Sequence, residues 1–325
     1  MKKVCVKMVV CLTVLALFTG QGLAKEPLQP MTIRLNWVTN VQFAGVLLAK
    51  ERGWYREAGI DLTIKGWEQG ISPIDEVLAG KAQVGVADAS KLVESRTKGS
   101  GVKAVMTAFQ KSPVCLMSKK ERGIETVRDL VGKKIGVNNP EAEAAVRIMM
   151  RNQGLDYKDI IPVKVGWDLQ PFLDDKFDVF LAFLNNEPLI MRKQGHEVNV
   201  IPGFKYGYDF YAGICFMTET MISEQSDLSG RFVSVTLRGW REAFRDMEAT
   251  AKLVVGKYYP QGTVEHQTES LKVFKYLATL GLGGSFTGLM EERTWEKGID
   301  TLHKFGQIEK RIPAKDVFTL EFLKK

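Results

Sequence analysis

The sequence contains few residues that bind metals or carry out nucleophilic and redox chemistry. It has three histidines and four cysteines in 325 residues, and two of those cysteines lie within the first 24 residues. No two cysteines are separated by two residues, and the histidines (His196, His266 and His303) lie far apart. We therefore expect no metal site, no bound cofactor and no disulfide framework.

The sequence also lacks a strong charge of one sign. Lys and Arg number 45 against 38 Asp and Glu, a formal charge of +7, which falls to +4 without the three lysines of residues 1–24. Because the basic residues are interspersed with acids, they indicate a solvated surface and not a nucleic-acid interface. A chain of about 300 residues after that segment predicts two lobes or domains.

The amino terminus has the pattern of an export signal. Three lysines precede an apolar run over residues 8–18, and Gly22-Leu23-Ala24 supplies small residues suited to a peptidase. The run is shorter than the roughly 20 residues that cross a bilayer, which disfavours the alternative of a membrane anchor. No cysteine follows the run, which disfavours a lipid-anchored start. We predict a signal peptide over residues 1–24, cleaved after Ala24, and an exported mature chain.

Strand and helix patterns alternate along most of the chain. Such alternation predicts an α/β fold with mostly parallel sheets flanked by helices. The predicted strands lie at 32–37, 61–64, 82–86, 102–109, 114–118, 134–137, 163–165, 177–182 and 212–217, with an extended stretch at 318–320. The predicted helices lie at 41–58, 73–79, 91–98, 140–153, 240–255, 264–280 and 291–305.

Five motifs occur in an order that is typical of one protein family. They are LNWVTNVQFAGVLLAKERGWYREAGIDLTI (35–64), VLAGKAQVGVADAS (77–90), RDLVGKKIGV (128–137), FLNNEPLIMRKQGHEVNVI (183–201) and YGYDFYAGICFMTE (206–219). Taken together they resemble the NMT1/THI5-like group of type II periplasmic substrate-binding proteins, which serve ABC importers. The resemblance implies a periplasmic monomer that does not span the membrane and works with ABC permease and ATPase subunits.

The resemblance also implies two lobes with a ligand cleft between them, closed by hinge motion. Lobe 1 would comprise residues 31–113 and 214–325, and lobe 2 residues 114–213. The two lobes would be joined by crossing strands at 112–117 and 212–217, which contain Cys115 and Cys215. Two alternatives follow for these cysteines: a disulfide between adjacent strands, or two separate buried thiols.

Polar and aromatic residues follow most of the predicted strands. In open α/β sheets the ligand cleft lies beyond the carboxyl ends of the strands, so these positions are candidates for ligand contact. We predict a ligand site formed by Asn36, Trp37, Asn40, Gln42, Phe43, Trp67, Asp88, Gln110, Asn138, Asn186, Glu187, Tyr206, Asp209 and Tyr211.

Several of these residues have a structural role as the alternative. Asparagine and aspartate side chains accept hydrogen bonds from free amides at helix starts, and tryptophan can cover the edge of a core. The alternatives are core capping for Trp37 and Trp67, helix capping for Asn36, Asn40 and Asp88, and an ion pair with Arg192 for Glu187.

The predicted residues favour a flat, nitrogen-containing ligand. Aromatic side chains stack on planar rings, and amides and carboxylates form directional hydrogen bonds with ring nitrogens and amino groups. A sulfonate or nitrate site is expected to contain arginine or lysine, and no predicted residue is basic. Related proteins take thiamine-pyrimidine precursors, riboflavin, sulfonates or nitrate, and this sequence favours the heterocycles over the anions.

Two other function classes are open to a chain of this family. The family that this sequence resembles also contains an enzyme, the eukaryotic pyrimidine synthase of thiamine biosynthesis. That enzyme uses a lysine, a histidine four residues later and a cysteine cluster. Ala87 and Lys91 occupy the first two positions here, and Cys215 alone remains of the cluster, so we expect no enzyme activity. Domains with similar NEP and YG-x-DFY segments resemble those fused to histidine kinases and cyclic-dinucleotide enzymes, which leaves a sensory role as the alternative to import.

Overall fold

The computed structural model describes residues 27–323, and within them the chain forms two five-stranded sheets flanked by helices. The predicted signal peptide, over residues 1–24, lies outside the described residues. No helix in the described part of the chain is long and apolar enough to cross a membrane.

The first sheet has the strand order β2-β1-β3-β10-β4. β1 pairs in parallel with both β2 and β3, and β10 lies antiparallel between β3 and β4. Every residue of β3 is buried, as are all but one of β4, because helices cover both faces of the sheet. The strands are β1 (Gln29–Arg34), β2 (Ile60–Lys65), β3 (Val84–Ala87), β4 (Val102–Phe109) and β10 (Ala212–Thr218).

The second sheet repeats this arrangement in the order β7-β6-β8-β5-β9. β6 is parallel to β7 and β8, and β5 lies antiparallel between β8 and β9. Each sheet therefore has four strands running one way and one running the other, so the predicted α/β fold with mostly parallel sheets is confirmed. The strands are β5 (Val114–Lys119), β6 (Lys134–Val137), β7 (Ile161–Lys164), β8 (Val179–Phe183) and β9 (Val198–Pro202).

Most helices connect the end of one strand to the start of the next.

Two predicted helices are wrong in extent. The helix predicted at 41–58 is divided at Gly53, whose φ of 72° is left-handed, and the one predicted at 240–255 is divided at Asp246. The helices are α1 (Ala44–Glu51), α2 (Trp54–Glu57), α3 (Pro73–Leu78), α4 (Ala89–Thr97), α5 (Pro140–Arg151), α6 (Gln170–Leu173), α7 (Glu187–Lys193), α8 (Glu219–Glu224), α9 (Ser226–Arg245), α10 (Met247–Lys257), α11 (Val264–Thr279) and α12 (Glu292–Lys304).

The two cysteines of the described chain lie in different sheets. Cys115, in β5, is in register with Ala182 and Pro202, whereas Cys215, in β10, is in register with Val86 and Met106. The chain passes between the sheets through the segments 110–113 and 203–211, so the predicted crossing strands are not paired with each other. Both thiols are free and buried. The disulfide alternative is therefore wrong, and the buried-thiol alternative is confirmed.

Candidate ligand-binding site

A cavity of about 1010 Å³ lies between the two sheets. Residues that follow β1, β3, β6 and β8 contribute to its wall, together with the first residues of the antiparallel strands β5 and β10. The carboxyl ends of the parallel strands of both sheets therefore converge on one space, as the topology of open α/β sheets requires. The third part of the wall is the segment 259–274, which contains the first turns of α11.

Seven of the fourteen predicted ligand residues line this cavity. They come from both sheets, and they include both the amide-rich segment after β1 and the start of α7. The seven are Asn36, Trp37, Asn40, Gln42, Asp88, Asn186 and Glu187.

The segment after β1 presents amide groups to the cavity in two different states. Asn40 caps the 3₁₀ helix Val41–Phe43, because its Oδ1 accepts a hydrogen bond of 2.8 Å from the backbone N–H of Gln42. The Oδ1 of Asn36 is buried and has no hydrogen-bond partner among the described residues. The capping alternative thus describes Asn40, whereas the described part of the chain offers no donor to the Asn36 oxygen.

Three tryptophans form a rim where the two sheets approach each other. The Trp37 ring centroid lies 5.8 Å from that of Trp67 and 5.8 Å from that of Trp167, and Trp167 contacts Phe183. Trp37 and Trp67 are exposed, so neither caps the core. Trp37 and Trp167 line the cavity, whereas Trp67 contacts Trp37 from outside the cavity wall.

Asp88 follows β3 and exposes its side chain to the cavity. It precedes α4 without capping it through its side chain. Desolvation by the protein around the cavity raises the pKa of the Asp88 carboxyl, and the backbone amide of Gly213 at the start of β10 opposes that rise. A carboxylate in this position is incompletely solvated and can accept a hydrogen bond from a ligand.

Glu187 is buried and already hydrogen-bonded. Its Oε2 accepts from the backbone N–H of Phe183 at 2.7 Å, and its Oε1 accepts from Nδ2 of Asn186 at 2.9 Å. Burial raises the pKa of its carboxyl, and these hydrogen bonds oppose the rise. The alternative of an ion pair between Glu187 and Arg192 is wrong, because the carboxylate faces the end of β8 and the start of α7 instead.

Asn186 connects this carboxylate to the opposite side of the cavity. Its Oδ1 lies 3.0 Å from Nε2 of His266, in the first turns of α11. Burial lowers the pKa of His266 below its ordinary value, so the imidazole is neutral at neutral pH and can donate from Nε2 to Asn186. Glu187, Asn186 and His266 therefore form a hydrogen-bonded path between the second sheet and α11.

The other seven predicted residues lie outside the cavity wall, and hydrogen bonds hold three of them elsewhere. Gln110 donates from Nε2 to the carbonyl of Leu289 at 2.9 Å, and the Tyr211 hydroxyl accepts from the backbone N–H of Glu291 at 2.7 Å. Asp209 pairs with Lys111 at 2.6 Å. Each side chain is thus committed to packing around the segments that join the two sheets.

The remaining four take different positions. Phe43 points into the core, where it is buried, because it lies on the inner face of the 3₁₀ helix. Asn138 has two buried amide atoms without a described partner but does not line the cavity, and Tyr206 packs partly buried against the core. Trp67 lies at the outer rim described above. Contact between a ligand and Phe43, Asn138 or Tyr206 stays a prediction. For Trp67, which contacts Trp37 and does not line the cavity, a direct contact is no longer expected.

The cavity also contains functional groups that were not predicted. Lys91 of α4 pairs with Glu141 of α5, and Lys193 of α7 pairs with Glu265 of α11, so both lysines bridge elements on opposite sides of the cavity. The side chains contributed by the segment before and within α11 repeat every three or four residues, a helical period that could have identified them. They are Thr263, His266, Gln267, Ser270 and Phe274.

Within residues 27–323, no three or more His, Cys, Asp or Glu side chains are grouped to hold a metal ion.

Comparison with known proteins agrees with this architecture. The model of the NMT1/THI5-like family matches residues 40–249. The "Riboflavin-binding protein RibY" of Chloroflexus aurantiacus is 24% identical over 315 residues, covering 92% of this chain and 88% of that protein. The "Formylaminopyrimidine-binding protein" of Halalkalibacterium halodurans is 21% identical over 299 residues, covering 90% and 91%.

Two further proteins are similar to this chain, one in sequence and one in structure. A "4-amino-5-hydroxymethyl-2-methylpyrimidine phosphate synthase" of Legionella pneumophila is 24% identical, covering 64% of this chain and 67% of that enzyme. Among solved structures, the periplasmic aliphatic sulphonate binding protein SsuA of Escherichia coli superposes with a TM-score of 0.71 at 12% identity, covering 88% of this chain and 96% of that protein. The similarity to SsuA establishes the two-lobed periplasmic-binding fold.

Proposed function

This chain belongs to the NMT1/THI5-like family, and we propose that it is an exported solute-binding protein for a small planar nitrogen heterocycle. The ligand would be similar to a thiamine-pyrimidine precursor or to riboflavin, and the protein would deliver it to the permease and ATPase subunits of an ABC importer. The two relatives named for riboflavin and formylaminopyrimidine, each similar over about nine-tenths of this chain, support this ligand class.

One observation carries the proposal: the cavity places an unpartnered amide beside exposed aromatic rings. The Asn36 side chain lines the cavity, and its buried oxygen has no donor within residues 27–323, an arrangement that costs free energy. Trp37, one residue away, is 37% exposed. A flat ligand with an N–H group could satisfy both: its ring would stack on Trp37, and its N–H would donate to Asn36 once rotation of the amide had turned the oxygen towards the cavity.

The charges of the cavity favour a neutral or cationic ligand over a sulfonate or nitrate. Asp88 and Glu187 place two carboxyl groups at the wall, and both lysines of the cavity are already paired with glutamates. An anion would have to break one of those ion pairs and approach the carboxylates. A basic ring nitrogen or an amino group would instead be stabilised by Asp88, whose side chain is exposed to the cavity.

We assign lobe 1 to residues 31–113 and 214–325 and lobe 2 to residues 114–213. Contacts between these lobes cross the cavity at its rim, where Trp37 meets Trp167 and Lys91 meets Glu141. A ligand in the cavity would enter and leave by breaking them, with the segments 110–113 and 203–211 as hinges. The pyrimidine-synthase chemistry of other family members is not proposed, because Ala87 and Lys91 occupy the positions of its lysine and histidine.

A thermal-shift screen of the purified mature protein tests this proposal. The compounds are a formylaminopyrimidine, riboflavin, an alkanesulfonate and nitrate, each at equal concentration. A ligand at 100 times its Kd stabilises the folded state by about 2.7 kcal/mol, which corresponds to a rise in the midpoint of roughly 4 °C for a chain of about 300 residues. The proposal requires a heterocycle to give the largest shift, and it fails if only the sulfonate or nitrate raises the midpoint.

A further inference from the structure

A second pocket, of about 560 Å³, lies on the surface between the end of α1 and the last turns of α9. Four arginines and one glutamate provide its charged groups, and a tryptophan forms part of its wall. Its lining residues are Arg52, Trp54, Arg238, Arg241, Glu242 and Arg245. We call it the arginine pocket.

Packing of α9 against α1 brings these arginines together. Arg238, Arg241 and Arg245 are three, four and seven residues apart, so they share one face of α9. α9 approaches α1 closely because Gly239 has no side chain, and a Cβ there would lie 2.0 Å from the carbonyl oxygen of Gly45. This close approach adds Arg52, at the end of α1, to the arginines of α9.

The arginine pocket has more positive charge than its neighbours neutralise. Arg52 and Arg241 have no carboxylate within salt-bridge distance among residues 27–323. Arg238 lies 3.6 Å from Glu57, and its guanidinium stacks 3.7 Å from the centroid of the Trp54 ring. Arg245 pairs with Glu242 at 2.6 Å, so the excess positive charge comes from Arg52 and Arg241. A concave surface with an excess of charge of one sign concentrates the electrostatic potential inside it.

We propose that the arginine pocket binds an oxyanion group of the phosphate type, either on a free small molecule or on a lipid headgroup. Guanidinium groups present paired N–H donors that match two oxygens of one phosphate, and stacking on Trp54 restricts Arg238 to a defined orientation. Nε of Arg241 donates to the carbonyl of Phe286 at 3.4 Å, which leaves its two terminal NH₂ groups and the guanidinium of Arg52 to donate to such an anion.

This site is separate from the ligand cavity. Segment 36–42, just before α1, lines the cavity, whereas Arg52 follows the other end of that eight-residue helix. A helix of this length spans about 12 Å. The arginine pocket therefore lies at the end of α1 that is remote from the cavity. It would therefore bind its anion whether or not the cavity is occupied, and it does not depend on the function proposed above.

The test compares two double variants of the mature protein that lose the same charge. Arg52→Gln with Arg241→Gln removes the two unpaired arginines of the pocket. Arg128→Gln with Arg293→Gln is the matched control, because both residues are exposed and neither forms a salt bridge with a residue of 27–323. Inorganic phosphate is titrated by calorimetry at low ionic strength, and vesicles of phosphatidylglycerol in phosphatidylcholine are tested by co-sedimentation.

Wild type and control are expected to bind phosphate, or the anionic vesicles, with an affinity that falls as NaCl is added. The pocket variant is expected to bind at least about tenfold more weakly, since two charge-assisted contacts are lost. Vesicle binding without phosphate binding would identify a lipid headgroup as the source, and phosphate binding alone a free anion. Absence of both, or equal binding by the pocket variant with an unchanged thermal midpoint, would overturn the proposal.

Discussion

Replacing Trp37 with alanine distinguishes a ligand-stacking ring from a structural one. The ring makes two aromatic contacts, with Trp67 and Trp167, and 37% of it is exposed. Each aromatic pair contributes about 0.5–1.5 kcal/mol, so the variant should lose about 1–3 kcal/mol of stability and remain folded. A residue that closed the core would cost about 3–5 kcal/mol on truncation to alanine.

Loss of stacking on a planar ring costs about 1–3 kcal/mol when the aromatic residue becomes alanine, which corresponds to roughly a 5- to 150-fold weaker affinity. Calorimetry with the heterocycle that gives the largest thermal shift measures this change. Trp67→Ala is the matched control, because it removes one of the same aromatic contacts but no part of the cavity wall. We expect that control to change the affinity by less than about threefold, a difference below 1 kcal/mol.

Trp37→Phe should recover much of the affinity, since a smaller ring still stacks. Equal losses of affinity for Trp37→Ala and Trp67→Ala would contradict direct stacking on Trp37, because the effect would then arise from the tryptophan rim as a whole. Unchanged affinity in a folded Trp37→Ala variant would refute it as well.

Three further predictions concern the cavity and the core. Asn36→Leu should raise or preserve the thermal midpoint of the unliganded protein, because it removes a buried acceptor without a donor, yet weaken ligand binding by about tenfold; a fall in both would indicate a structural role. Because burial raises the pKa of Asp88, affinity for an amino-bearing ligand should be highest above that pKa and fall as the pH is lowered through it, while unliganded stability changes in the opposite sense. Asp88→Asn should abolish that part of the pH profile, and an affinity that rises on acidification would contradict the role. Thiol titration should find Cys115 and Cys215 unreactive in the native protein and both reactive in denaturant, whereas no reaction in denaturant would indicate a disulfide.

The sequence patterns predicted nine of the ten strands of the two sheets and missed β9 (Val198–Pro202), which none of the predicted strands covers. β4 and β6 occur at their predicted bounds, because short apolar runs between turn signals define buried strands. The helix predicted at 240–255 failed because the apolar period continues across Asp246, whose side chain caps α10 at Ala249. Local capping thus overrode a continuous hydrophobic pattern.

The position of a residue after a strand predicted its proximity to the cavity, but not the direction of its side chain. Asn36 and Asp88 line the wall, whereas Phe43 and Tyr211 turn into the core, because only packing against distant elements decides which face is buried. His266 escaped prediction for a related reason. It lies at the start of a helix that is distant in sequence and that no predicted strand precedes.

A structure of the mature protein bound to the heterocycle with the largest thermal shift tests the central claim most directly. We expect the ring to lie between the two sheets, stacked on Trp37, with an N–H donated to Oδ1 of Asn36 and a polar group hydrogen-bonded to Asp88. A ligand bound outside this cavity, or bound within it as an anion held by Lys91 and Lys193, would contradict the proposed function.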